Sequence, residues 1–270
     1  MTVLLVIFLI FILLSVIYVA LVMPRAVDQP DMSGMTVDYA HRGLHTPDVP
    51  ENSLAAFARA VEEGYGIELD VQLTADKKVV VFHDYTLSRM CGTEGQIART
   101  TYEQLRELRL GGSEERIPLL REVLELVDGK VPLLVELKGE SMNNELCSYV
   151  VELLDAYGGV YMVESFNPVL LSWFKRYRPH VVRGQLVTNL IADKKAGNVF
   201  LNAALSAMLL NVLSRPDFIA PNVKYPRGLS LWVCVSLFGS KAFFWTVRSE
   251  EEYQKHRLRG QYSIFEHITP

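Results

Sequence analysis

Residues 67–74 read IELDVQLT, with apolar and polar side chains in alternation. In an extended strand successive side chains face opposite ways, so residues two apart share a face at a spacing of about 6.6 Å. Ile67, Leu69, Val71 and Leu73 then form one apolar face, and Glu68 and Asp70 lie together on the other. Residues 133–138, LLVELK, repeat the arrangement: Leu133, Val135 and Leu137 against Glu136 and Lys138. Two separate strands thus aim carboxylates toward one side of a sheet.

Outward from these runs, short β-rich segments alternate with longer helical patterns, the signature of a parallel sheet built from βαβ units. Candidate strands are 37–40, 66–73, 79–82, 131–137, 160–164, 182–186, 218–221 and 242–247, with a further late strand at 262–265. Candidate helices cover 53–63, 101–108, 119–127, 143–157, 168–177 and 250–258, with apolar residues at helical spacing, as in Leu54, Phe57 and Val61. Asn52 or Ser53 would cap the first. No glycine-rich GxGxxG turn follows any strand, and the conspicuous polar residues fall on or just after strand ends. That placement suits the C-terminal mouth of a TIM-type (β/α)8 barrel over residues 36–270; an open doubly wound sheet is the alternative.

Residues 2–23 carry no charged side chain. About 20 apolar residues suffice to cross a hydrocarbon core of roughly 30 Å, so residues 1–24 read as an N-terminal transmembrane helix and 25–35, rich in proline and polar residues, as a tether. A cleaved signal peptide is the competing reading. Against it stand the length of the run, the missing basic n-region and the lack of a clear cleavage site. Arg25, offset by Asp28 and Asp31, tilts the expectation for the rest of the chain toward the cytoplasmic face of the cell membrane. The net charge of −4 gives no basic field of the kind nucleic acid requires. Cys91, Cys147 and Cys234 form no ligand-spaced set.

Four segments carry chemistry. His41-Arg42-Gly43 follows the first strand, with Pro50-Glu51-Asn52 downstream; Glu68 and Asp70 lie in the second segment; His83-Asp84 ends VVVFHD; Glu136 and Lys138 end LLVELK. Carboxylates that converge raise one another's pKa unless a cation sits among them. A hard divalent ion, Mg2+ or Ca2+, suits such oxygen donors; salt bridges to Arg42 and Lys138 would answer the same need. Histidines after strand ends suit acid–base work near neutral pH.

The spaced pattern His-Arg … Glu-x-Asp … His-Asp, with PEN after the first element and E-x-K later, resembles the glycerophosphodiester phosphodiesterase family. The likeness continues through TEGQI, RIPLLREVLELV, Ser165-Phe166 and Phe244-Trp245-Thr246-Val247, covering about residues 36–267. It implies a barrel enzyme that uses a divalent cation to hydrolyse glycerophosphodiesters to glycerol 3-phosphate and an alcohol, through a cyclic phosphate made by the substrate's own glycerol hydroxyl. By the same resemblance Glu68, Asp70 and Glu136 hold the metal, and His41 and His83 are the catalytic acid–base pair. Arg42 and Lys138 bind the phosphate, Glu51 and Asn52 line the site, and Trp245 packs on the glycerol. The chain departs from the family pattern at Arg248, where asparagine is usual, and at Glu266-His267, where Thr-Asp is usual.

Residues 196–214 are also free of charge and read as one helix, with Leu201, Leu205, Met208, Leu209 and Val212 on one face. It either packs on the sheet or also rests on the bilayer surface. Hydrolysis of lysophospholipids on the same scaffold, and a silent membrane-bound binding protein, are the rival functions.

Overall fold

The computed structural model describes residues 2–139 and 142–270. Nine strands are present among the described residues: β1 (Tyr39–Ala40), β2 (Gly66–Leu73), β3 (Val79–Val81), β4 (Leu133–Leu137), β5 (Tyr161–Ser165), β6 (Arg183–Val187), β7 (Phe218–Pro221), β8 (Lys241–Val247) and β9 (Tyr262–Phe265). Eight are parallel neighbours, and β1 pairs with both β2 and β9, which closes the sheet into a barrel. The expected TIM-type architecture is therefore present, and the open doubly wound sheet is not.

One candidate strand lies outside the barrel. β3 pairs antiparallel with β2, because the few residues between Leu73 and Val79 cannot make the crossover that a parallel neighbour requires. The eighth barrel strand is β9. The candidate strand at 37–40 shrinks to two residues; just before it, the Asp38 carboxylate accepts from the Ser263 amide (2.7 Å) and the Tyr253 hydroxyl (2.9 Å). The helix expected at 101–108 is a single turn, Tyr102–Leu105.

Local chemistry sets the helix ends. Ser53 caps Leu54–Glu63 by accepting from the Ala56 amide at 3.1 Å, and Gly64, at φ +76°, closes its far end. Pro168 occupies the first turn of Pro168–Tyr177, with Asn167 as its cap. The outward faces of the strands bury Ile67, Leu69, Val71, Leu133 and Val135 against helix side chains such as Phe57, Val123 and Phe174. The barrel interior is filled at its strand-start end by Tyr39, Leu134, Met162, Phe218, Phe243 and Ile264. A Cβ on Gly184 would lie 2.0 Å from the Phe218 ring, so only glycine lets that ring cross the barrel. The acidic residues sit one layer higher, toward the mouth.

The helix Thr2–Val22 is long and apolar enough to cross a membrane. Its last turn is docked on the barrel wall: Val22 is fully buried, and the Tyr18 hydroxyl lies 2.6 Å from that of Ser230. Asn211 donates to the Val22 carbonyl, and Arg215 to those of Ala20 and Met23, each at 2.9 Å. These bonds satisfy carbonyls that a helix end otherwise leaves unpaired. Beyond it Arg25 bonds to the carbonyls of Pro179 and Pro216, and Met32 and Met35 pack beneath the barrel interior.

The uncharged stretch 196–214 is two helices, Val199–Ser206 and Asn211–Ser214, a correction to the single helix expected. The chain breaks at Met208, whose φ is +54°, and Met208 turns into the core beside Val22 and Ile219. Phe200 and Leu201 remain exposed.

Candidate active site

Parallel register brings the acidic residues together. Asp70 on β2 stands opposite Glu136 on β4, and Glu68 lies two residues before Asp70 on the same inward face. The three offer carboxylate oxygens within 4.8 Å of one another, and all three are buried. Lys138, next on the inward face after Glu136, puts Nζ 2.8 Å from both Asp70 and Glu136. Arg42 donates its backbone N–H to Glu68 at 2.9 Å and sets Nε 3.4 Å from Asp70. The loop after β1 thus closes one side of the cluster.

The carboxylates divide electrostatically. Burial and the charges of Asp70 and Glu136 push Glu68 well above the usual range. Burial also raises Glu136, to about 7, against the pull of Lys138. Asp70 is pushed up by burial too, but Lys138, His83 and Arg42 outweigh it and hold it well below the usual value. Glu164 on β5, opposite Glu136, adds a fourth buried carboxylate whose Oε2 lacks a hydrogen-bond partner. Four buried carboxylates face two cations. The surplus of negative oxygen donors fits a hard divalent cation, and the salt-bridge alternative supplies only part of the compensation.

Each histidine is held from behind by a carboxylate. His41 directs Nδ1 at Glu266 at 2.6 Å, and His83 directs Nδ1 at Asp84 at 2.6 Å. A carboxylate can only accept, so Nδ1 carries the proton and Nε2 is the free ring nitrogen. Burial lowers His41 to about 4, opposed by its bond to Glu266; burial likewise lowers His83, opposed by Asp70. Behind them, Glu51 accepts from Arg42 at 2.7 Å and pairs with Arg89, which also grips Asp84. Asn52, buried at φ +54°, donates to Asp70 at 2.8 Å. Trp245 stands across the mouth, edge to face with Phe166 at 5.5 Å and donating to the Ala220 carbonyl.

All ten residues singled out from the sequence therefore lie at the C-terminal end of the barrel. Sequence reasoning passed over three others. Gln72 shares the inward face of Glu68 and Asp70 and donates to the carbonyls of Phe82 and Asp84, fixing the His83 loop; its parity in IELDVQLT was the available signal. Glu164 carried a similar parity signal on β5. Glu266 was visible only as a departure from the family pattern. It binds His41 and also Arg248, the other departure, so the two changes form one ion pair.

Residues 41–265 match the sequence profile of the glycerophosphoryl diester phosphodiesterase family. The chain belongs to that family. A glycerophosphodiester phosphodiesterase from Caldanaerobacter subterraneus is 39% identical over 162 residues, 56% of this chain and 66% of that enzyme. An Oleispira antarctica phosphodiesterase, solved in complex with the product sn-glycerol-3-phosphate, superposes with a TM-score of 0.70 at 25% identity, covering 85% of this chain and 92% of that one. A rat lysophospholipase D is 28% identical over 253 residues, 80% of this chain and 78% of that enzyme. The chain is accordingly a phosphodiester hydrolase that acts on glycerophosphodiesters.

Proposed function

We propose that the chain is a single-pass membrane enzyme that releases glycerol 3-phosphate and an alcohol from glycerophosphodiesters. In this reading residues 1–24 are the anchor, 25–35 the connector and 36–270 the catalytic domain, on the cytoplasmic face. The observation that carries it is the buried trio Glu68, Asp70 and Glu136, flanked by two histidines whose Nδ1 atoms are tied to carboxylates. The trio would hold Mg2+ or Ca2+, which when bound polarises the phosphoryl oxygens.

The protein's own groups do the rest. Arg42 and Lys138, both mostly buried, bind the nonbridging oxygens. One histidine takes the proton of the attacking glycerol hydroxyl on Nε2, the other, protonated on Nε2 for this step, gives that proton to the leaving alcohol, and water then opens the cyclic phosphate to glycerol 3-phosphate. Glu51 and Asn52 keep Arg42 and Asp70 aligned, and Trp245 offers an apolar wall to the glycerol carbons. The test is product analysis of the full chain with glycerophosphocholine and glycerophosphoethanolamine, with and without EDTA. Glycerol 3-phosphate and free alcohol, lost with chelator and restored by Mg2+ or Ca2+, are expected. Full turnover in excess EDTA would remove the metal assignment.

A second substrate class, lysophospholipids, is favoured by the apolar side chains exposed beside the docked anchor. The rat relative bears the name of that activity.

A further inference from the structure

We propose that the two excursions after β6 and β7 seat the catalytic mouth on the bilayer, and that the cavity between them takes the acyl chain of a lysophospholipid. The proposal rests on the anchored phosphodiesterase reading above and names where its lipid substrate would bind.

The docking of the anchor gives the direction. Arg25 lies at the strand-start end of the barrel, bonded to Pro179 and Pro216, which precede β6 and β7. Val22 is buried beside Ile219, in the middle of β7. Tyr18 reaches Ser230, whose hydroxyl donates to the Ala207 carbonyl between the two excursions. Traced backwards from Arg25, the helix climbs the barrel wall from the strand starts toward the strand ends. It leaves the domain on the side where Glu68, Asp70 and Glu136 lie. The mouth therefore faces the bilayer that the helix crosses.

The docked last turn of the helix holds the top of the domain close to the membrane interface, where elements bury their apolar faces by about 5–10 Å. The side chains at that level are apolar enough to enter it: Ile191, Val199, Leu201 and Leu229 are exposed, and Phe200 is 82% exposed. Left in water they would form an apolar patch that soluble surfaces avoid. Lys194, Lys224 and Arg227, all exposed, are placed to meet anionic headgroups.

Between the excursions lies a cavity of ≈ 390 Å³, where Val187, Ala207, Pro221 and Leu231 make an apolar wall beside polar Thr188 and Arg227. That volume is within the range of small-ligand sites. Its floor is the paired ends of β6 and β7, Val187 and Pro221. The next residue, Asn222, pairs with Trp245 at the catalytic mouth. A chain held in this cavity, one strand from Trp245, would let the headgroup phosphodiester of a single-chain lipid reach Arg42 and Lys138 in the site. Water would then cleave its bond to choline, giving lysophosphatidate and choline.

The experiment uses the full chain in nanodiscs, with a lysophosphatidylcholine carrying a photoreactive diazirine at the chain end. Labelling should map to peptides within residues 187–231, and Ala207→Trp, which fills the cavity, should reduce it at least tenfold. The same variant should lower lysophosphatidylcholine turnover by a similar factor while glycerophosphocholine, which has no chain, is processed as before. Phe200→Ser with Leu201→Ser, at exposed positions that do not endanger folding, should weaken labelling by the same probe. Labelling elsewhere, or labelling unchanged in both variants, overturns the proposal. Absence of turnover on either substrate would count against the phosphodiesterase reading alone, because the labelling still decides the lipid site.

Discussion

Lys138→Met tests whether the acidic cluster is built for a metal cation besides Lys138 and Arg42. The side chain is 8% exposed and its Nζ is 2.8 Å from both Asp70 and Glu136. Methionine keeps most of the length and removes the charge. Breaking a buried ion pair by deleting one partner costs about 3–5 kcal/mol. In a domain of this size each kcal/mol moves Tm by roughly 2–4 °C, so chelated Lys138→Met should melt on the order of 10 °C below chelated wild type. A divalent cation on Glu68, Asp70 and Glu136 would supply the missing charge. Saturating Mg2+ or Ca2+ should therefore raise Tm more in the variant than in the wild type, and ligand at a hundredfold its Kd is worth about 2.7 kcal/mol. Activity should be lost in both conditions, since the phosphate contact is gone. Thermal melts with EDTA and with each cation decide the matter. Equal melting of variant and wild type in EDTA, or a cation that stabilises neither, would refute the reasoning.

His41→Ala and His83→Ala should each lower kcat at least ~10²-fold with little change in Tm; a near-normal rate removes that histidine from the chemistry. Glu266→Gln keeps an acceptor for the His41 Nδ1 proton but removes the charge that opposes burial. The acid limb of kcat/KM should move to lower pH, and kcat should fall less than in His41→Ala; an unmoved limb would separate Glu266 from His41. Arg89→Met probes the outer ion pairs. Burial raises Glu51 and Asp84, but Arg89, with Arg42 or His83, brings both below their usual values. Depressed carboxylates stabilise the fold above their unfolded pKa of about 4 and lose that contribution as pH falls through the folded values. Because Arg89 is 47% exposed, the loss should be only about 1 kcal/mol at pH 7, and should shrink steadily as pH falls below the unfolded value of about 4. A deficit that does not shrink as pH falls would show that the contribution is packing.

How far the sequence reaches depends on whether a feature is periodic or long-range. Strand parity is local, so IELDVQLT and LLVELK already placed Glu68, Asp70, Glu136 and Lys138 on one face, and the register of β2 on β4 brought Asp70 opposite Glu136. Barrel closure is not local: nothing in the run at 79–82 told it apart from a barrel strand, whereas the shortness of the link to β2 did. The break at Met208 is equally hidden, because residues 196–214 keep helical spacing throughout. What turns the chain there is the buried contact of Met208 and Asn211 with the end of the N-terminal helix, a partner nearly two hundred residues away. Glu266 and Arg248 make the same point from the functional side. Each alone reads as an exception to a family pattern; only the fold shows that Arg248 holds the carboxylate that holds His41. Exceptions that pair in space behind a catalytic residue are better read as one substituted contact than as two losses.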